Sequence, residues 1–125
     1  MRPTLRRARD FELVYTRGRK LTSAAVVVFH LANAPDIKVA FVASRKVGGA
    51  VQRNRAKRVL RAAFTAIDDP GISIPGWVVL VARREILRFK STDVREELVR
   101  LFGLAPDTQT AGRGKNADPA TGSGP

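Results

Sequence analysis

The sequence has no cysteine and contains one histidine, one tryptophan and one methionine among its 125 residues. Without cysteine, the chain has no disulfide bond and no thiolate ligand for a metal ion. No apolar run approaches the ~20 residues that a membrane-spanning helix needs. The first residues, MRPTLRRARD, are basic but lack the continuous apolar segment of a secretory signal. These absences favour a cytoplasmic protein that has no membrane partner.

Acidic residues are also few: Asp and Glu total 11 against 23 Lys and Arg, which gives a formal net charge of +12. Such an excess repels itself within a compact domain and is typical of proteins that bind a polyanion. Nucleic acid is the favoured polyanion. An anionic membrane surface would normally require an amphipathic anchor with bulky apolar residues, and no such anchor stands out.

The chain length suits one compact domain, and a hydrophobic content of 44% is enough for a folded core. We place this domain at residues 1–103. Residues 104–125 contain no aromatic side chain and are rich in Gly, Pro, Thr and Ala. A segment of this composition buries too little apolar surface to offset its ordering entropy, so the tail is predicted to be disordered.

The first predicted helix lies in RRARDFELVYTRG, residues 6–18. Phe11, Val14 and Tyr15 fall on one face of it. We expect Asp10 to act as its N-cap and Gly18 to end it in a left-handed conformation.

Three segments rich in β-branched and apolar residues are predicted to be strands. The turn residues NAPD separate the first two, which are expected to pair as an antiparallel hairpin. Two further helices show an apolar stripe, and Gly103 ends the last one. The order is therefore α-β-β-α-β-α in a single α+β domain, where one further short strand would give a sheet of about four strands. The predicted strands are 24–32, 37–44 and 77–83, and these two helices are 50–67 and 91–103.

The helix at 50–67 has opposite properties on its two sides. No acidic residue occurs between Asp36 and Asp68, whereas eight basic residues do. On a helical wheel the apolar residues form one arc, which is expected to dock on the sheet. The opposite arc holds cations without acidic partners at i, i+4, an arrangement that costs stability unless a polyanion binds there. The apolar arc comprises Ala56, Val59, Leu60, Ala63, Phe64, Ala66 and Ile67, and the polar arc comprises Arg53, Asn54, Arg55, Lys57, Arg58 and Arg61.

The polar arc has the chemistry of a nucleic-acid contact. Arginine suits bidentate contacts to phosphate. Asn54 is either a local helix cap or a reader of base or ribose edges. Aromatic side chains exposed beside such a surface would stack on unpaired bases, although spacing alone leaves a purely core role open for Phe11, Tyr15 and Phe29.

Catalysis by the chain itself has little support in the sequence. His30, the only histidine, lies inside a predicted strand without a Cys or an obvious Ser partner. The carboxylates are too scattered for the converging acidic cluster of a two-metal site. We therefore predict no catalytic residue and no metal site in this chain.

The segment SRKVGGAVQRNRAKRVLR, residues 44–61, resembles the signature of the bacterial ribonuclease P protein component, roughly S-[KR]-K-[VI]-G-x-A-V-x-R-N-R-x-K-R-x-x-R. The resemblance covers about residues 4–103, because RRARDFELVYTRG is similar to the family's opening helix and WVVLVAR to its last strand. The chain departs from many members at Ala40, where they have Gly, and at Gly49, where they have Asn or Lys.

The resemblance implies the accessory protein subunit of an endoribonuclease. Its catalytic RNA removes the 5′ leader of precursor tRNA with Mg²⁺ ions that this chain does not hold. The polar arc of helix 50–67 would bind that RNA. A cleft between the first helix and the sheet would hold the single-stranded leader, through Phe11, Tyr15 and Phe29 with Arg45 and Lys46 nearby.

The same resemblance implies a left-handed β-α-β crossover, which is opposite to the usual handedness. It implies the catalytic RNA and precursor tRNA as partners and identifies no protein partner. Two other classes stay open: a ribosomal or other structural RNA-binding protein without a role in cleavage, and a nuclease that cleaves without any RNA partner.

Overall fold

A computed structural model describes residues 2–68 and 74–104 of the chain. The predicted disordered tail therefore lies outside the described residues, except for Leu104. Within the described ranges, no helix is both long and apolar enough to cross a lipid bilayer. The elements in chain order are α1 (Ala8–Arg17), β1 (Arg19–Thr22), β2 (Val26–Leu31), β3 (Lys38–Val42), α2 (Ala50–Ile67), β4 (Trp77–Ala82), a 3-10 helix (Arg84–Arg88) and α3 (Ser91–Leu101).

The strands form one mixed sheet in the order β1-β2-β4-β3. β2 is antiparallel to β1 and β4, whereas β3 is parallel to β4. The predicted hairpin between residues 24–32 and 37–44 is therefore wrong, because β4 lies between these two strands. β4 is apolar along its whole length and all but one of its residues are buried, which suits a central strand covered on both faces. β1 is the further short strand for which the sequence left room.

Gly76 allows β4 to enter between its neighbours. Its φ is +77°, in the left-handed region that glycine tolerates. A Cβ at this position would collide with the carbonyl oxygen of Leu31 at the end of β2, and it would lie 2.8 Å from the carbonyl oxygen of Ala32. Only glycine therefore lets the start of β4 approach the end of β2 this closely.

Helix α2 connects β3 to β4 and has the bounds that the sequence predicts, Ala50–Ile67. Because β3 and β4 are parallel neighbours, the three elements form a β-α-β unit. The left-handed sense of this crossover stays a prediction from the family resemblance.

Apolar side chains form a core on each face of the sheet. On one face, here called the α2 face, Leu60 and Phe64 of α2 pack with inward residues of the sheet and of α3. On the other, the α1 face, Val14 of α1 packs with Trp77 and Val79 of β4. Phe64 is 0% exposed, and burying a side chain of this kind contributes roughly 1.5–3 kcal/mol. The two cores fix α1 and α2 on opposite sides of one sheet.

The ends of α1 differ from the prediction. Arg7 is the N-cap, so Asp10 lies in the first turn, near the positive end of the helix dipole, and does not cap it. Gly18 has a φ of −73° because the chain continues directly into β1, so its predicted left-handed conformation is wrong. A side chain on Gly18 would collide with the carbonyl oxygen of Val14, which still requires glycine there. Gly103 has a φ of +67° and ends α3 as predicted.

Candidate nucleic-acid interface

The first candidate surface is the side of α2 that points away from the sheet. We call it the α2 basic face: Arg53, Asn54, Arg55, Lys57, Arg58 and Arg61. Most of the predicted apolar arc is buried against the core, and Val59 is half-buried. Ala66 is the exception, because it is exposed at the edge of that arc. Arg58, Arg61 and Asn54 are exposed, and the other three members are half-buried.

Little in the chain neutralises the α2 basic face. The first turn of α2 contains no acidic residue. Within residues 2–68 and 74–104, the ion pairs are Arg2–Asp68 and Arg83–Glu85, and neither involves this face. The uncompensated cations create a positive potential that attracts phosphate groups.

Two of the arginines are held in place by partners that carry no negative charge. Nη1 of Arg53 donates to the carbonyl oxygen of Gly48 at 3.0 Å, which ties the first turn of α2 to the preceding loop. The guanidinium carbon of Arg61 lies 5.3 Å from the centre of the Phe41 ring, a cation–π distance. Both contacts restrict the side chains while leaving other N–H groups free to donate.

Arg55 is half-buried, although the helical wheel places it on the polar arc. Its Nη2 lies 3.5 Å from the carbonyl oxygen of Phe89, just after the 3-10 helix, and its Nη1 is buried without a hydrogen-bond partner in the described part of the chain. Arg55 therefore sits at the junction between α2 and the 3-10 helix. Gly49 is the N-cap of α2, so the cap alternative for Asn54 is wrong, and a role in reading base or ribose edges stays a prediction.

The second candidate surface lies on the α1 face of the sheet and is built around an aromatic cluster of Phe11, Tyr15 and Phe29. The ring centres of Phe11 and Tyr15 are 6.2 Å apart, and those of Tyr15 and Phe29 are 4.9 Å apart in an edge-to-face arrangement. Tyr15 is 40% exposed, and the other two are half-buried. The structure thus brings the three predicted aromatic residues together from α1 and β2.

Tyr15 keeps its proton under ordinary conditions. Partial burial raises the pKa of its phenol above the usual value, since desolvation disfavours the phenolate. The ring is therefore neutral and does not repel a phosphate backbone nearby.

Beside the aromatic cluster, the sheet has a row of small side chains that α1 leaves partly open. Register places Thr22, Val27, Val81 and Val42 side by side across the four strands. All three valines are half-buried, whereas Val79, in the adjacent row, is fully buried. The α1 face is therefore closed near α1 and more open along this row. We call this row, together with the aromatic cluster beside it, the cleft, and the row its floor.

Lys20 adds to this cleft a cation that was not predicted from the sequence. It lies opposite Phe29 in the β1–β2 register, and its Nζ is 6.0 Å from the centre of the Phe29 ring. The alternation of RKLT was the available signal, but it places Lys20 in the cleft only once the pairing of β1 with β2 is known.

Arg45 and Lys46 lie in the exposed turn that follows β3. Backbone hydrogen bonds from Val47 to Ser44 and from Gly48 to Arg45 shape this turn. This turn follows Val42, the residue that β3 contributes to the cleft floor. In the described residues, no contact joins either cation to the aromatic cluster, so their role at the cleft stays a prediction.

His30 makes local structural contacts. Its Nε2 lies 2.6 Å from the carbonyl oxygen of Pro75, and its ring packs edge-on against Phe102 at 5.4 Å. Among the residues that the structure describes, no group of three or more His, Cys, Asp or Glu side chains is arranged to hold a metal ion.

Comparison with known proteins gives one family. The family model described as Ribonuclease P matches residues 2–105. The ribonuclease P protein component of a Nitratiruptor species is 40% identical over 100 residues, which cover 79% of this chain and 88% of that protein. That of Symbiobacterium thermophilum is 37% identical over 105 residues, or 82% of this chain and 90% of that protein. The solved ribonuclease P protein from Thermotoga maritima superposes with a TM-score of 0.68 at 30% identity, covering 83% of this chain and 99% of that one.

The matched range includes every helix and strand described above. Sequence signature, mixed four-stranded sheet and three helices all agree with this family. The chain therefore belongs to the bacterial ribonuclease P protein family, the accessory subunits that work with an RNA subunit in an endoribonuclease of tRNA processing.

Proposed function

We propose that the chain uses two surfaces on opposite sides of its sheet: the α2 basic face binds the catalytic RNA, and the cleft on the α1 face binds the single-stranded 5′ leader of precursor tRNA. The observation that carries this proposal is the separation of the two surfaces. α2 packs on one face of the sheet, and the aromatic cluster lies on the other. One rigid domain can therefore contact both RNAs at once.

The α2 basic face suits an RNA that is folded and rich in closely spaced phosphates. Its exposed arginines, Arg58 and Arg61, are one helical turn apart, and no carboxylate pairs with either in the described residues. Guanidinium groups bind phosphate oxygens in bidentate fashion. Neutralising RNA phosphates releases counterions, so the contact is expected to weaken steeply as salt rises.

The cleft suits a single strand because it pairs aromatic rings with a cation. Unpaired bases stack on rings such as those of Tyr15 and Phe29, and the ammonium group of Lys20 lies close enough to neutralise a backbone phosphate. The half-buried valine row offers apolar floor for a base or ribose. A duplex would hide its base faces and gain nothing from the rings.

We assign the Mg²⁺ ions of the reaction to the RNA. In the described residues no group of three or more His, Cys, Asp or Glu side chains is arranged to hold a metal ion. The chain's contribution is binding: it stabilises the fold of the catalytic RNA and adds affinity for the leader. This role belongs in the bacterial cytoplasm, where tRNA precursors are transcribed.

Reconstitution tests whether leader removal requires the catalytic RNA or can be carried out by the chain alone. The purified chain and the catalytic RNA are assayed separately and together for leader removal at low Mg²⁺. We expect cleavage by the assembled enzyme and none by the chain alone. Cleavage by the chain alone would establish a protein nuclease and overturn the proposal.

The leader site predicts a specific loss when Phe29 is replaced. Phe29→Ala is expected to weaken precursor tRNA binding to the assembled enzyme by about 5- to 150-fold, since stacking contributes about 1–3 kcal/mol per base. Mature tRNA, which has no leader, should bind as before. Equilibrium binding of both RNAs to the assembled enzyme gives the comparison.

Phe29→Leu keeps an apolar side chain in the cleft and separates lost stacking from disturbed packing. Phe102→Leu is the matched control, because Phe102 is also half-buried but lies on the α2 face. Equal losses of affinity for precursor and mature tRNA would show that Phe29 does not contact the leader. They would favour a structural RNA-binding role.

A further inference from the structure

The 3-10 helix between β4 and α3 carries a basic surface that neither candidate site includes. The segment RREILRFK contains Arg83, Arg84, Arg88 and Lys90 against the single acid Glu85. Ile86 is 0% exposed and anchors the helix in the core. The short turn around this anchor leaves Arg84 and Arg88 exposed.

These two arginines are free to bind an external anion. Glu85 is engaged by Arg83, whose Nε lies 3.8 Å from its Oε1. In residues 2–68 and 74–104, no ion pair forms to Arg84 or Arg88. Both lie on the same short 3-10 helix, and their uncompensated positive charges attract a phosphate group.

Arg84 and Arg88 also line a pocket of about 360 Å³ with Glu85 and Leu87. The half-buried Leu87 supplies apolar surface beside the two guanidinium groups. A nucleotide fits this chemistry, with its phosphate on the guanidinium groups and its ribose or base against leucine.

The pocket adjoins the α2 basic face. Arg55, a member of that face, reaches the carbonyl oxygen of Phe89 at the end of the 3-10 helix. Arg55 thus links α2 to the residue that ends the 3-10 helix.

We propose that Arg84 and Arg88 form a second phosphate site, which binds one nucleotide of the same catalytic RNA that occupies the α2 basic face. This inference rests on the proposed function of that face. It extends the protein's footprint on the RNA beyond the signature helix, around the junction held by Arg55.

The test compares three double variants that each remove two positive charges: Arg84→Gln with Arg88→Gln, Arg58→Gln with Arg61→Gln, and Arg19→Gln with Arg100→Gln. The last pair is exposed, lies on β1 and α3, and belongs neither to the pocket lining nor to the α2 basic face. Affinity for the catalytic RNA alone is measured over a range of salt concentrations. We expect the first variant to bind about tenfold more weakly and its salt slope to fall by about one, while the Arg19/Arg100 variant changes much less.

The outcomes separate this inference from the function on which it rests. Parental binding by the Arg84/Arg88 variant, together with a loss in the Arg58/Arg61 variant, would overturn the second site and leave the α2 basic face intact. Parental binding by both would overturn both proposals. Should the Arg84/Arg88 variant lose affinity for precursor tRNA and keep that for the catalytic RNA, the inference would be wrong about the occupant.

The absence of cysteine permits a direct mapping. Arg88→Cys introduces the only thiol in the chain, to which a hydroxyl-radical source can be attached, and Arg58→Cys does the same on α2. Both positions should cut the catalytic RNA at neighbouring sites in the folded complex. RNA cleavage from position 58 without any from position 88 would contradict a shared RNA surface.

Discussion

Replacing Arg58 and Arg61 together by alanine is expected to weaken binding of the catalytic RNA by about 100-fold. A hydrogen bond to a charged group contributes about 1.5–3 kcal/mol, and every 1.4 kcal/mol is about tenfold in affinity. Both side chains are exposed, and losing the cation–π contact of Arg61 to Phe41 should cost the fold only about 0.5–1 kcal/mol. The slope of log affinity against log salt should become shallower by about two, one for each RNA phosphate that is no longer neutralised.

The salt slope is the decisive measurement. A general loss of structure would weaken binding without a defined change in slope, and circular dichroism would detect it. Arg19→Ala with Arg100→Ala makes the same charge change elsewhere, so this control corrects for net charge. An unchanged slope in the Arg58/Arg61 variant would refute phosphate binding by the α2 basic face.

The largest expected effect on stability comes from Arg2. This side chain is nearly buried and donates from Nε and Nη2 to the two carboxylate oxygens of Asp68, at 3.0 and 2.6 Å. It also donates to the carbonyl oxygens of Ile74 and Gly76, and its guanidinium lies 5.3 Å from the Phe64 ring. One side chain thus ties the amino-terminal arm to the end of α2 and to the residues before β4.

Arg2→Met should lower the free energy of unfolding by about 3–5 kcal/mol, because it leaves a partly buried carboxylate and two carbonyl groups without their donor. Urea denaturation followed by circular dichroism measures this change. Arg6→Met is the matched control, since Arg6 is exposed and no contact to it occurs among the described hydrogen bonds and ion pairs. Adding Asp68→Asn to Arg2→Met should restore part of the loss. Equal stability of Arg2→Met and Arg6→Met would show that the Arg2 contacts contribute nothing net.

Sequence reasoning was most successful where structure follows from local pattern. The bounds of α2 and the division between its two sides are set by residues three and four apart, and both agree with the structure apart from Ala66. The aromatic cluster could not be predicted from residue spacing alone. Spacing left a core role open for Phe11, Tyr15 and Phe29, and the family resemblance selected the cleft in which they meet.

Long-range contacts were beyond prediction from pattern. Nothing in NAPD indicates that β4, more than 40 residues later, separates β2 from β3. Likewise, Arg2 and Asp68 are 66 residues apart, and their pairing depends on the packing of the whole domain. Lys20 and Arg84 were missed for the same reason, because each acquires its neighbours from tertiary structure.

The central place of β4 has a consequence for synthesis of the protein. β4 separates β2 from β3, and β3 pairs with no other strand of the sheet. While the ribosome has released only the residues before β4, β3 lacks its neighbouring strand and keeps the hydrogen bonds of Val39 to Pro3 and Leu5 in the amino-terminal arm. Arg2 still lacks the carbonyl groups of Ile74 and Gly76. Helix α2 then has no completed sheet to cover, although its cations are already present. Such incomplete chains expose unpaired strand edges and aggregate readily.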